Sequence, residues 1–431
     1  MLVVRYFQLA KKKTTVRTEV VAGVTTFLTM AYIIFVNPNI LSETGMDKNT
    51  LIAVTCIVSG LATIAVGIFA NAPVAMAPGM GLNAFFAYTL VIGSGGKVNW
   101  QTALGVVFLA GLFFLVLTVV GLRKKLVEAI PQSLIAAISV GIGLFITFIG
   151  LQNMGIIVDS ATTLVHAAPL NATILIGLAG FAMMIILEMK NVTGSLLFGI
   201  AFSTCLAVIF GKVGPPTQLI STHLSISATA FRLDIIGAVK WSLFGSIFTL
   251  TFIDMFDSIG TLLAVARPAG LMDEEGRIKD IDRLLTIDAV ATMFAAVCGT
   301  SPATAYIESA AGVEQGGRTG LVSVVTGLLF LGALLFVPLV GIVPPYATAG
   351  ALIMVGLFMM KEVRKIDFSD LSQGLGAFII IVMIALSYSI STGLAFGFIA
   401  YTLTQIAAGK MADIKPTMWI ITFLSAGYFC V

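Results

Sequence analysis

From Val20 to about Ala408 the chain is a succession of apolar runs, each about 17 to 25 residues long. This recurrence constrains the fold more than any other feature. A run of that length crosses roughly 30 Å of hydrocarbon as a helix. In such a medium the backbone N–H and C=O groups must pair within a helix or a closed barrel. A barrel would show period-two alternation in segments of about ten residues, and the sequence has none. Charged residues make up 10% of the chain, against about 25% in soluble proteins. The expected fold class is an all-α polytopic membrane protein.

Fourteen segments are expected, near 20–41, 51–70, 73–92, 101–121, 133–151, 170–188, 193–211, 241–265, 284–299, 302–314, 319–338, 345–361, 374–389 and 391–408. The third and tenth are short, semi-polar and interrupted by glycine and proline. With the N-terminus in the cytoplasm, only Lys48, Lys97, Lys212, Arg232 and Lys240 of the 24 basic residues fall outside. That asymmetry obeys the positive-inside rule and depends on the count being right. The N-terminal stretch reads as a basic cytoplasmic tail, since it lacks a signal-peptide core. Residues 416–431 are apolar and read as an interfacial or packed terminal helix. The charged connection 267–283 lacks calcium-loop spacing and reads as a solvated linker.

The chain also repeats itself. "GLFFL" at 111–115 returns as "GLLFL" at 327–331, and Pro131 with "GLF" at 143–145 returns as Pro344 with "GLF" at 356–358. "FGIAFSTCLAVIFGK" from Phe198 is echoed from Phe396. Seven spans per half is an odd number, so the halves must be oppositely oriented, as in the inverted repeats of secondary transporters. The expected organisation is a core domain from 1–121 and 241–338, a gate domain from 131–211 and 344–408, and a terminal segment 409–431.

In such transporters broken helices from equivalent positions meet at the midplane and hold the substrate. The third segment, "NAPVAMAPGMGLNAFFAYTL", and the tenth, "SPATAYIESAAGVEQGG", are those helices here. Pro73 and Pro78 prevent regular helix, and Gly79 and Gly81 permit close backbone approach. The eighth span places Thr251, Asp254, Ser258 and Thr261 on one face, with Asp257 beside them. A carboxylate at this depth costs at least about 2.5 kcal/mol unless paired, hydrated or protonated, and no Lys or Arg lies at the depth of Asp257 or of Glu308. Each acid is also open to a structural reading as a half-helix cap. Asn83 can address a heterocycle or satisfy unwound backbone. Glu314 and Arg318 read as surface residues. Cys56, Cys205, Cys298 and Cys430 lack paired spacing and read as packing residues. His166 and His223 lie in polar connections, so no histidine cluster, metal site or cofactor is expected, and no basic cluster points to nucleic acid.

The stretches "VRTEVVAGVTTFLTMAYIIFVNP", "NAPVAMAPGMGLNAFFAYT", "FDSIGTL" and "YIESAAGVEQGGRTGL" resemble the purine permeases of the azaguanine-resistance-like branch of the nucleobase/ascorbate transporter superfamily, over nearly the whole chain. The resemblance implies proton-coupled uptake of adenine, hypoxanthine or guanine across the plasma (inner) membrane, by a homodimer with cytoplasmic termini. It implies that Asp257 and Glu308 hold the base, aided by the Ile307 N–H and Asn83. The third-span position that is aromatic in the uracil and xanthine branches falls on Met80. Asp254, Ser258 and Thr304 are expected as supporting residues, and Glu308 or Asp257 as the proton carrier. Two other readings were weighed. An anion transporter on the same fold would want basic residues at the midplane. An intramembrane aspartyl protease would want two Asp on adjacent spans in a glycine-flanked motif that "MFDSIG" does not match.

Overall fold

The computed structural model describes residues 2–121, 130–216, 218–220, 225–272 and 278–429. Arg123, Lys124, Lys125, His223 and Cys430 lie outside them. Among the described residues, nine helices are long and apolar enough to cross a membrane, and three shorter apolar helices, Met80–Ser94, Ser195–Ile209 and Leu371–Leu386, accompany them. Ile281–Cys298 and the tenth segment complete the expected order. The first span, Val16–Ser42, is interrupted at Ala31 and Tyr32, which the sequence reading did not anticipate. A short β2–β3 hairpin, Ile157–Ser160 with Leu164–Ala167, carries His166 on the surface.

The two broken segments cross at the centre. In the third, β1 (Met76–Pro78) precedes a helix starting at Met80; in the tenth, β4 (Ala303–Ala305) precedes a helix over Ser309–Glu314. The strands pair antiparallel, with Ala77 opposite Thr304. Gly79 N–H donates to the Pro302 carbonyl at 3.0 Å, and Tyr306 N–H donates to the Ala75 carbonyl at 2.9 Å. These bonds give unwound backbone its partners where water cannot. The third segment then continues as a π-helical stretch over Phe85–Val91 rather than a regular helix.

The helices pack in two groups. The first, second, fourth, eighth, ninth and eleventh spans contact one another and the tenth; the fifth, sixth, seventh, twelfth, thirteenth and fourteenth form the other group. Small residues set the closest approaches, as expected where lipid offers no hydrophobic drive between helices. In the second and eleventh spans, a Cβ on Gly320 would lie 2.0 Å from the Gly67 carbonyl, and one on Gly327 2.5 Å from the Gly60 carbonyl. In the fifth and twelfth, a Cβ on Gly356 would lie 2.5 Å from the Gly143 carbonyl. These two glycines open the repeated "GLF" triplets, so equivalent positions of the two halves touch. Buried Glu19 of the first span accepts from Arg318 N–H (2.9 Å), Thr319 N–H (3.1 Å) and Thr319 Oγ1 (2.6 Å), capping the eleventh span. Arg318 in turn donates from Nη1 to the Val313 carbonyl at 2.6 Å, at the end of the tenth helix.

Both ends of the bundle can be recognised from contacts. Lys12 of the N-terminal tail is held below the usual lysine range by burial and by the neighbouring charges of Lys279 and Lys11. The tail and the connection after the eighth span therefore share one end. Pro416–Tyr428 forms a helix packed on the fourteenth and eighth spans, with Met418 and Ile421 buried. Cys56 and Cys298 are buried, whereas Cys205 is exposed on the outer face of its helix rather than in a packed contact.

Candidate functional site

The eighth span, Trp241–Ala269, presents two chemically different faces at the level of the strand pair. Asp254 and Ser258 face inward and are 2% and 0% exposed. Ser258 Oγ donates to Asp288 Oδ2 of the ninth span and lies 2.7 Å from Thr304 Oγ1 of β4. Thr292 donates to Asp254 Oδ2 at 2.8 Å. Asp254, Ser258 and Thr304 thus form a buried oxygen-rich network behind β4, and Asp288, 1% exposed, is part of it. The sequence reading missed Asp288, although the cost of an acid inside the apolar run of the ninth span was a usable signal. Among the described residues, one carboxyl oxygen each of Asp254 and Asp288 finds no hydrogen-bond partner.

Asp257 lies on the other face and is exposed, as are Gly260, Leu263, Ala264 and Arg267. The i, i+3, i+7 and i+10 positions make a continuous accessible stripe from the centre of the span to its basic end. An ionised carboxylate against lipid there would be costly, so the stripe reads as the wall of a water-filled vestibule. Ile307, 54% exposed, and partly exposed Glu308 lie at the same depth, at the junction of β4 and the tenth helix. Asp257 and Glu308 lie near one another and near the buried rings of Tyr32 and Tyr306. Tyr32 Oη donates to Glu308 Oε1 at 2.6 Å. Tyr306 Oη donates to the Pro78 carbonyl at 2.5 Å. Among the described residues no Lys or Arg pairs with Asp254, Asp257, Asp288 or Glu308; ion pairs such as Lys365–Glu362 and Lys410–Asp370 lie elsewhere.

The third segment contributes differently from expectation. Asn83 has no accessible surface. Its Oδ1 accepts from Ser301 Oγ, while its Nδ2 finds no partner among the described residues. Asn37 of the first span extends this network, donating to Thr55 at 2.7 Å and to Thr300 at 3.1 Å. Met80 is 6% exposed, at the start of the half-helix. The structure therefore brings Asp257, Ile307 and Glu308 to one accessible surface and sets Asn83 in the packing behind it. Tyr32, Tyr306, Ser301 and Asn37 were not singled out from sequence, because a Tyr or Asn in a membrane span carries no signal of its neighbours.

At the opposite end of the bundle, side chains tie the spans together. There Asn39 Nδ2 of the first span donates to Thr348 Oγ1 of the twelfth at 3.1 Å, joining the two helix groups, and Thr89 Oγ1 of the third segment donates to the Tyr388 carbonyl at 3.2 Å. Tyr88 donates to Glu43 at 3.0 Å and meets Phe145 and Tyr388 edge-on. Tyr388 donates to Gln152 and also packs on Phe145 and Phe148. A separate groove lined by Leu109, Phe113, Trp241 and Phe244 is apolar apart from Lys240 and holds none of the acids.

Set against known proteins, residues 17–422 match the model of Xan_ur_permease, described as a permease family. The chain belongs to that family. It is 43% identical to the putative permease MJ0326 of Methanocaldococcus jannaschii, over 98% of this chain and 97% of that one. It is 42% identical to the adenine permease AdeQ of Escherichia coli, over 98% and 95%. It is 38% identical to the guanine/hypoxanthine permease PbuO of Bacillus subtilis, over 97% and 98%. The resemblance drawn from the motifs is borne out, and these relatives are permeases rather than enzymes. Among solved structures, the transmembrane domain of a cyanobacterial bicarbonate transporter, BicA, superposes with a TM-score of 0.64 at 14% identity, covering 91% of this chain and 97% of that one. The fold of this permease is accordingly that of the seven-plus-seven inverted-repeat transporters.

Proposed function

We propose that this permease imports purine nucleobases, hypoxanthine and guanine or adenine, by proton symport. Asp257 and Glu308 accept hydrogen bonds from the base, the Ile307 N–H donates to a ring nitrogen, and Met80 packs nearby. Asn83 acts through Ser301 on the backbone linker before β4. One observation carries the reading: two acids within the spans share an accessible surface with no basic partner among the described residues. Such a surface suits a neutral ligand rich in N–H donors, or a proton. An anion would meet both carboxylates uncompensated, which disfavours anion transport on this fold. A base with the wrong edge leaves a buried polar group unpaired, at about 1–3 kcal/mol each. The names of the AdeQ and PbuO relatives support the ligand class.

In this proposal the core domain, 1–121 with 241–338, moves past the gate, 131–211 with 344–408, in an elevator-like exchange of access. Glu308 or Asp257 carries the coupled proton, with Asp254, Ser258 and Thr304 in support. The protein works as a homodimer in the plasma (inner) membrane with both termini in the cytoplasm. The basic ends of the spans support that orientation, and residues 409–431 then lie at the cytoplasmic face.

The test is uptake of labelled adenine, hypoxanthine, guanine and uracil into proteoliposomes, with and without an imposed pH gradient. Accumulation of a purine that collapses with the gradient is expected. Glu308→Gln and Asp257→Asn should each weaken affinity about tenfold or more, as for hydrogen bonds to a charged group. Normal affinity and uptake in both variants would remove these residues from the site. Uptake of no base would remove the nucleobase reading.

A further inference from the structure

The purine reading leaves unexplained why Glu308 should hold one conformation in a water-filled vestibule. A free glutamate side chain has several rotamers, and binding through it carries an ordering cost. Tyr32 answers this. It is 1% exposed, lies where the helix of the first span is interrupted, and donates from Oη to Glu308 Oε1 at 2.6 Å. That length is typical of a hydroxyl bonded to a carboxylate. The ring is enclosed by packing, and the first and tenth segments approach closely nearby: a Cβ on Gly312 would lie 2.1 Å from Thr26 Oγ1 and 2.6 Å from the Ala22 carbonyl. The other buried tyrosine nearby, Tyr306, has its hydroxyl committed to Pro78. Tyr32 is thus the phenol that engages the accessible acid of the tenth segment.

We propose that Tyr32 is a positioning residue for ligand binding: its hydroxyl holds Glu308 Oε1, which orients the carboxylate and presents Oε2 to an N–H of the purine. This rests on the purine-binding reading of Glu308. Tyr32 acts through Glu308 rather than through the ligand. Its removal should therefore matter in proportion to the charge on its partner.

The experiment is calorimetric titration of the purified full-length protein with hypoxanthine and with adenine, on wild type, Tyr32→Phe, Glu308→Gln and the double variant. Tyr32→Phe keeps the ring and should weaken binding of the better ligand about tenfold. In the Glu308→Gln background the same exchange should cost only about threefold, because a charge-assisted hydrogen bond is roughly twice as strong as a neutral one. Equal losses in both backgrounds would mean that Tyr32 works elsewhere, and unchanged affinity in Tyr32→Phe would overturn the proposal outright. If wild type binds neither base, the purine reading itself fails, which is a separate result. A second readout needs no Tyr32 variant. With ring-labelled tyrosine, the C–O stretch in the ligand-minus-free infrared difference spectrum should shift in wild type and weaken in Glu308→Gln. A spectrum without that band would also overturn it.

Discussion

Four acids lie within the spans of this permease without a basic partner among the described residues, and their neighbours give them different work. Asp257 and Glu308 meet the vestibule, where water or a ligand can solvate charge. Asp254 and Asp288 are sealed behind β4 and depend on hydroxyls from Thr292 and Ser258. A carboxyl there has no recourse to solvent, so deleting a hydroxyl should be felt as lost stability. Ser258→Ala is expected to lower stability by about 1–3 kcal/mol by leaving a buried oxygen unpaired, read as a lower thermal midpoint in detergent. Ser258→Thr, which keeps the donor, should recover most of it. A midpoint unchanged in Ser258→Ala would show that the oxygen finds another partner. From sequence, Asp254 and Asp257 could be assigned to the centre of the span but not to its two faces. Three residues is close to one helical turn, and the face that meets water depends on which helices cover the rest.

At the scale of elements, glycine decides how closely the spans approach. Gly60 and Gly67 in the second span are seven residues apart, as are Gly320 and Gly327 in the eleventh, and the two pairs meet backbone to backbone. Seven residues is about two helical turns, so each pair lies on one face. Side chains at these points would push the helices apart along their length. Gly320→Val should cost at least about 1–3 kcal/mol through overpacking, and its expected signature is loss of monodisperse protein on size-exclusion chromatography. Gly332→Val is the control, since a Cβ there meets nothing within 4 Å. Equal behaviour of the two variants would mean that the interface is more accommodating than its geometry. The glycines were visible in the sequence. Their partners were not, because contact between the second and eleventh spans joins opposite halves of the chain.

At the scale of the molecule, the two helix groups are tied at one end by Asn39–Thr348, while the stripe from Asp257 to Arg267 is accessible toward the other. If alternating access moves one group past the other, the tied end must separate in each cycle. An Asn39→Cys/Thr348→Cys pair, whose native side chains touch, in a Cys205→Ser background is expected to cross-link under oxidation and stop purine uptake, with reductant restoring it. Uptake that persists in fully cross-linked protein would exclude movement at this contact as part of transport.

By itself the sequence determined the membrane class, the fourteen segments, the inverted repeat and the two interrupted segments. Those follow from hydropathy, charge placement and proline and glycine, all of which act locally along the chain. It also singled out Asp257 and Glu308, since an acid in an apolar run is expensive wherever it ends up. Only the tertiary structure decided that Asn83 is enclosed, that Asp288 joins Asp254, and that Tyr32 holds Glu308. Each of these depends on which segments cross at the centre, and a hydrogen bond between residues 276 positions apart leaves no trace in either local sequence.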